Sequence, residues 1–118
     1  MKKIDCHTHI VNEAIRAEYF SRTDGYAIVM EFLDKFKIPG IEHDPYALAK
    51  ADKRLFLCPC IDISRNIPPQ LERIEGLLDE YQIVGLKIYL TYQAGRADDE
   101  RMMPIYDFAR KHDKHPVR

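Results

Sequence analysis

The feature that most restricts the fold is a contrast between two faces, repeated in three short runs of the chain. Lys3 to His9, Leu55 to Ile63 and Ile83 to Leu90 are rich in β-branched and apolar residues and read as β-strands. Side chains alternate along a strand, so each run divides into two faces. Ile4, Cys6 and Thr8 oppose Asp5, His7 and His9. Leu55, Leu57, Pro59 and Ile61 oppose Phe56, Cys58, Cys60 and Asp62, while Val84, Leu86, Ile88 and Leu90 oppose Gly85, Lys87 and Tyr89. One face is largely aliphatic and the other is small or polar. A parallel sheet covered by helices on both sides is apolar on both faces. A barrel meets helices on its outside only, and its interior turns polar towards the catalytic C-terminal rim. The pattern predicts an α/β fold, the N-terminal portion of a TIM-type (β/α)8 barrel with parallel strands alternating with helices. A doubly wound open sheet is the alternative.

The segments between the runs have helical period. Ile28, Val29, Phe32, Leu33 and Phe36 form one apolar stripe, with Thr23 or Asp24 able to cap its start. Pro45 to Lys53, opened by Asp44-Pro45, predicts a shorter helix. Pro68 to Tyr81 is the clearest helix, with Leu71, Ile74, Leu77, Leu78 and Tyr81 on one side. Met103 to Lys111 follows the acidic Asp98-Asp99-Glu100, and Pro104 suits a first turn. Another strand begins at His115-Pro116-Val117-Arg118. The stretch between the first two runs is long for one crossover, which predicts extra helices or a lid over the active-site face.

With 118 residues the chain suffices for one domain with a core, spanning 1–118. Its 18 Lys and Arg balance 19 Asp and Glu, so there is no electrostatic case for a nucleic-acid or anionic-membrane partner. No run approaches the roughly 18 apolar residues of a membrane helix. The cysteines number three, and Cys58-Pro59-Cys60 is too tight to bridge itself, so a reduced, cytoplasmic protein is the simplest reading.

The chemistry concentrates in Ile4-Asp5-Cys6-His7-Thr8-His9-Ile10. Residues two apart on a strand share a face, so His7 and His9 present two imidazoles at the end of the first strand. Neutral imidazole ligates zinc and other divalent metals, which polarise carbonyls or bring the pKa of bound water towards about 7. Asp5, on the same face one layer below, is a candidate to orient a ligand imidazole; a buried ion pair is its bland alternative. Lys87 faces inward, where an unpartnered ammonium is costly. It is either a functional group or the partner of Asp5 or Asp62. Cys58 and Cys60 lack the spacing of zinc sites and read as small inner-face residues, and Cys6 reads as core under the helices. Tyr89, and Arg96 and Arg101 on the rim loop, can reach a substrate, against the commoner roles of packing and solvated surface. His43 reads as a loop histidine.

Asp5-Cys6-His7-Thr8-His9 resembles the first-strand signature of the amidohydrolase superfamily of metal-dependent hydrolases. Val84-Gly85-Leu86-Lys87-Ile88-Tyr89 resembles the Gly-x-Lys strand of its amidohydrolase-related branch, which includes aminocarboxymuconate-semialdehyde decarboxylase-like enzymes. Asp99-Glu100-Arg101, Pro104-Ile105-Tyr106, Ala109 and Pro116-Val117 are similar to the next helix and strand opening, whereas residues 11–54 resemble nothing. The resemblance implies that His7 and His9 are the first two ligands of a divalent ion, zinc foremost. It implies a small-molecule substrate that is hydrolysed or decarboxylated. It also implies that Lys87, which in some branches is carboxylated and bridges two metals, here contacts substrate or metal site. The family's third ligand histidine, a further histidine and the catalytic aspartate follow the Pro-Val opening. The expectation is therefore an incomplete barrel, inactive alone and prone to self-association along its open edge. Two further readings stay open: an inactive partner-binding half-barrel, and a redox or metal-storage protein using Cys58 and Cys60.

Overall fold

A computed structural model describes residues 3–89, 99–112 and 115–117. The strands are β1 (Lys3–Thr8), β2 (Gly25–Met30), β3 (Leu55–Cys58), β4 (Cys60–Ile61), β5 (Gly85–Ile88) and β6 (His115–Val117). The helices between them are α1 (Glu13–Arg22), α2 (Pro45–Ala51), α3 (Ile67–Leu77) and α4 (Met103–Lys111). The pairings β1–β2, β2–β3, β4–β5 and β5–β6 are all parallel. Pro59 separates β3 from β4 because it has no N–H to give a ladder. Its carbonyl still accepts from Lys87 N (2.7 Å), and Leu57 bridges to Ile83 just before β5. Strand order in space thus follows order along the chain, and the α/β class with parallel strands is what the structure has.

The 25–30 segment corrects the sequence reading. The stripe Ile28, Val29, Phe32, Leu33, Phe36 is not helical: its first half is β2, and its second half follows in a loop with a 3-10 turn at Asp34–Phe36. Neither Thr23 nor Asp24 caps a helix there; Thr23 closes α1, and Gly25, at φ 123°, takes the turn into β2. The adjacent β-branched Ile28 and Val29 suit a strand paired on both edges, which buries Ala27 and Val29 completely. As a result the first and second predicted strands are not neighbours, because β2 lies between them. The length of the crossover predicts extra helices in this stretch, but no periodic stripe marks α1 itself. Asn12 starts it by accepting from Ile15 N (2.9 Å), but none of its residues is fully buried, so its apolar stripe is weak. The other helices lie close to their expected positions. Asp44 caps α2 through Ala47 N (3.1 Å), and α3 ends at Leu77, with Leu78 and Tyr81 packing beyond it.

All four helices pack on one face of the strands. Ile61, Leu86 and Ile88 meet Leu71 and Ile74 of α3 and Ile105 and Phe108 of α4. Ala27, Val29, Leu55 and Leu57 meet Ala49 of α2, with Tyr19 and Phe20 of α1 against them. Each buried Val, Leu, Ile or Phe among them contributes about 1.5–3 kcal/mol. Cys58 and Cys60 are buried, but Cys6 is exposed, so its assignment to the core is corrected: α1 leaves that end of β1 uncovered. No helix among the described residues is long and apolar enough to cross a membrane.

Asp52 ties three elements together. At the C-terminal end of α2, its carboxylate accepts from Arg54 NH2 of β3's approach (2.7 Å) and from Arg16 NH1 of α1 (3.1 Å). The Arg54 hydrogen bond, ahead of the Arg16 contact, holds the carboxyl down to about 2. A depressed carboxylate stabilises the fold above its unfolded pKa, and that stability is lost as pH falls through the folded value. Asp52→Asn is expected to lose about 1–2 kcal/mol in urea unfolding at pH 7. The gap to the unsubstituted chain should close between about pH 4 and pH 2. A gap unchanged at pH 2 would contradict the assignment.

Candidate functional site

The C-terminal ends of the strands converge on a cavity of about 420 Å³ lined by His7, His9, Phe32, Phe36, Lys87 and Tyr89. Ligands of open parallel sheets bind at that edge, and the volume falls in the range of small-molecule sites. His7 comes from β1 and His9 follows it, Phe32 and Phe36 follow β2, and Lys87 and Tyr89 come from the end of β5.

The β1–β2 register slips between Asp5 and Thr8, where three steps on β1 match two on β2. Such an irregularity re-aims side chains. Asp5 supports it: its carboxylate accepts from His7 N (3.3 Å) and from Tyr19 Oη of α1 (3.3 Å), while Thr8 Oγ1 donates to Ile28 O (2.9 Å). In this structure Asp5 reaches the backbone of His7 rather than an imidazole.

The two imidazoles lie with centroids 5.2 Å apart and planes at 69°. Two imidazoles bound to one tetrahedral zinc at about 2.0–2.1 Å place their centroids about 5 Å apart, so the spacing of the two rings, taken apart from the direction of their nitrogens, is that of a shared cation. His9 stacks on Phe32 (4.3 Å, 18°), and its Nδ1 is buried with no hydrogen-bond partner among the described residues. Burial first, then the neighbouring charge of His7, lower the pKa of His9, outweighing a hydrogen bond to the Met30 backbone. His9 therefore stays neutral at pH 7, the form that ligates metal. Among the described residues no group of three His, Cys, Asp or Glu is placed to hold a metal ion.

Lys87 is 7% exposed, and its Nζ sits 5.0 Å from the centre of the Tyr89 ring. Burial lowers its pKa, with only the Cys58 thiol opposing. The alternative of a salt bridge to Asp5 or Asp62 is corrected. Asp62 pairs with Arg65 (3.5 Å) and Asp5 with Tyr19. Tyr89 forms a wall, donating its hydroxyl to Glu31 O (2.6 Å) and lying against Phe36. Arg96 lies outside the described residues. Arg101 is held elsewhere, by Asp99 (2.9 Å) and Ile63 O (3.3 Å). His43 is in a loop behind Phe32, accepting from Ile38 N through Nε2 (3.2 Å). Burial pushes the Cys58 thiol up to about 11 and raises Cys60 still further, so without a bound metal both stay protonated at neutral pH.

Sequence reasoning missed Phe32, Phe36 and Glu31, because the residues around them read as a helix. Glu31 receives Cys60 N (2.9 Å) and faces Arg73 (3.6 Å) in a second, polar cavity of about 460 Å³ that shares Phe32 with the first. The run Tyr26-Ala27-Ile28-Val29-Met30 after Asp24-Gly25 is the signal that could have found them, since a glycine turn before a β-branched run marks a strand. Comparison of the chain with protein-family models, curated proteins and solved structures finds no match.

In proton NMR, the His9 ring should titrate with a midpoint below the ordinary 6.5, and His7→Ala should raise that midpoint by removing a neighbouring charge. A His9 midpoint above 6.5 would show that burial does not dominate.

Proposed function

We propose that the chain is a metal-dependent hydrolase of the amidohydrolase type, acting on a small molecule, with its strands belonging to a TIM-type barrel. The observation that carries this reading is the convergence of His7 and His9 beside the buried Lys87 at the C-terminal strand ends. Parallel strands in sequence order with helices on one face support the barrel, since a doubly wound sheet carries helices on both.

His7 and His9 would hold a divalent ion, zinc foremost, which when bound supplies Lewis-acid activation of water or of a carbonyl. The rest is done by this chain's own side chains. Phe32 stacks on His9 and fixes its plane, and the low pKa keeps that ring neutral and ready to ligate. Asp5 fixes the backbone beneath His7. Phe32, Phe36 and Tyr89 give the cavity aromatic walls beside Lys87.

Equilibrium titration with cobalt(II), followed by its visible absorption, tests the assignment together with hydrolysis of a chromogenic amide and ester. His7→Ala and His9→Ala should each weaken metal binding at least tenfold, about 1.4 kcal/mol, and remove any metal-dependent turnover. In an active form of the protein, Lys87→Ala should lower turnover more than it lowers stability. Cobalt binding unchanged in both histidine variants, or turnover indifferent to metal, would refute the reading.

A further inference from the structure

Phe32 meets a second imidazole besides that of His9. The His43 ring lies with its centroid 5.5 Å from that of Phe32 and its plane at 75°. Phe32 thus has His9 stacked on it at 4.3 Å and His43 in a T-shaped contact, both favoured aromatic arrangements. The backbone on either side of His43 is tied to the segment that follows His9. Asp44 N donates to Val11 O (2.7 Å), and Asn12 Nδ2 donates to Glu42 O (3.4 Å). Ile10 and Val11, which anchor that segment, are buried. The ring itself is oriented by Ile38 N, which donates to His43 Nε2 (3.2 Å) across a turn with Gly40 at φ 82°. A backbone N–H only donates, so Nε2 keeps its lone pair and the ring proton is on Nδ1. That Nδ1 is buried with no hydrogen-bond partner among the described residues. A buried donor left unpaired costs free energy, so hydrogen bonding alone gives no reason for a histidine here. Glutamine would close the same turn through its amide oxygen. What glutamine lacks is a ring for Phe32.

We infer that His43 is a positioning residue for the candidate metal site, holding Phe32 against the imidazole of His9. The inference rests on the reading of His9 as a ligand and extends that site to the loop ahead of α2. Three rings from three segments support one another: His9 follows β1, Phe32 follows β2, and His43 precedes α2. The exit of β1 carries His9 and, through Val11 and Asn12, also tethers the loop that carries His43. His43 bears on Phe32, and Phe32 returns to His9, so rotation of the His9 ring has to displace both neighbours. An imidazole already held in one plane loses less freedom on meeting a metal, which strengthens binding.

The test uses the full 118-residue chain, treated with EDTA, and reads the His9 ring protons by NMR. Spectra are taken well above the ordinary histidine pKa of about 6.5, so that protonation does not contribute. A phenyl ring stacked on the imidazole shifts those protons upfield, and Phe32→Leu should remove that shift. His43→Phe keeps a ring for Phe32, removes the unpaired donor, and should leave the His9 shift in place. His43→Gln keeps an acceptor for Ile38 N but offers no ring, and should remove most of the shift. In cobalt(II) titration, His43→Gln should weaken binding roughly threefold to tenfold, and His43→Phe should change it by less than about twofold. A His9 shift unchanged in His43→Gln would overturn the inference, because the ring would then be dispensable. A shift lost in His43→Phe as fully as in His43→Gln would also overturn it, because the turn and not the ring would be what matters. Should His43→Gln fail to fold, nuclear Overhauser contacts of the Phe32 ring in the unsubstituted chain decide. Contacts to both imidazoles are expected, and a missing contact to His43 would overturn the inference. A chain that shows the expected shifts but binds no cobalt would refute the metal reading and keep His43 as the residue that positions His9. Cobalt binding alongside a shift indifferent to His43→Gln would do the reverse.

Discussion

β2 pairs along both of its edges, with β1 and with β3, and the whole C-terminal rim is organised by that double ladder. A parallel strand in this position satisfies its backbone on both sides, so it tolerates no helix in its place. Its exit sends Phe32 onto His9 and Phe36 towards Tyr89, while Glu31 returns to accept from Cys60 N and offers its carbonyl to Tyr89. Contacts that span the sheet from β1 to β5 thus pass through the few residues that follow β2.

Within the cavity, desolvation acts on two basic groups together. It keeps His9 neutral against the pull of the Met30 backbone, and it lowers the pKa of Lys87 against the thiol of Cys58. The outcomes differ in function. A neutral imidazole gains a use as a ligand, whereas a lysine whose pKa is lowered by burial gives up its proton more readily. The same burial raises the pKa of Cys58 and Cys60, so both thiols next to the site are protonated at neutral pH in the absence of metal.

The sequence displays much of this arrangement directly. His7 stands in a strand that can be recognised from its neighbours, with His9 just beyond its end, and Lys87 keeps the parity expected of β5. The helices α2, α3 and α4 carry strong start signals, namely Asp44-Pro45, the prolines before Leu71, and Pro104. β2 is hidden because Ile28, Val29, Phe32, Leu33 and Phe36 fit a helical stripe as well as they fit a strand followed by a turn. Short apolar runs cannot be resolved by period alone. α1 is hidden for the opposite reason, as it buries too little to show a stripe. The role of Asp5 depends on the slipped register between Asp5 and Thr8, which no alternation rule reports.

X-ray absorption at the zinc edge, on the chain loaded with one equivalent of zinc, tests the central claim most directly. The account predicts nitrogen or oxygen scatterers at about 2.0–2.1 Å, with outer-shell scattering from two imidazoles that falls to one in His7→Ala. A sulfur shell at about 2.3 Å, or a spectrum without imidazole scattering, would contradict it.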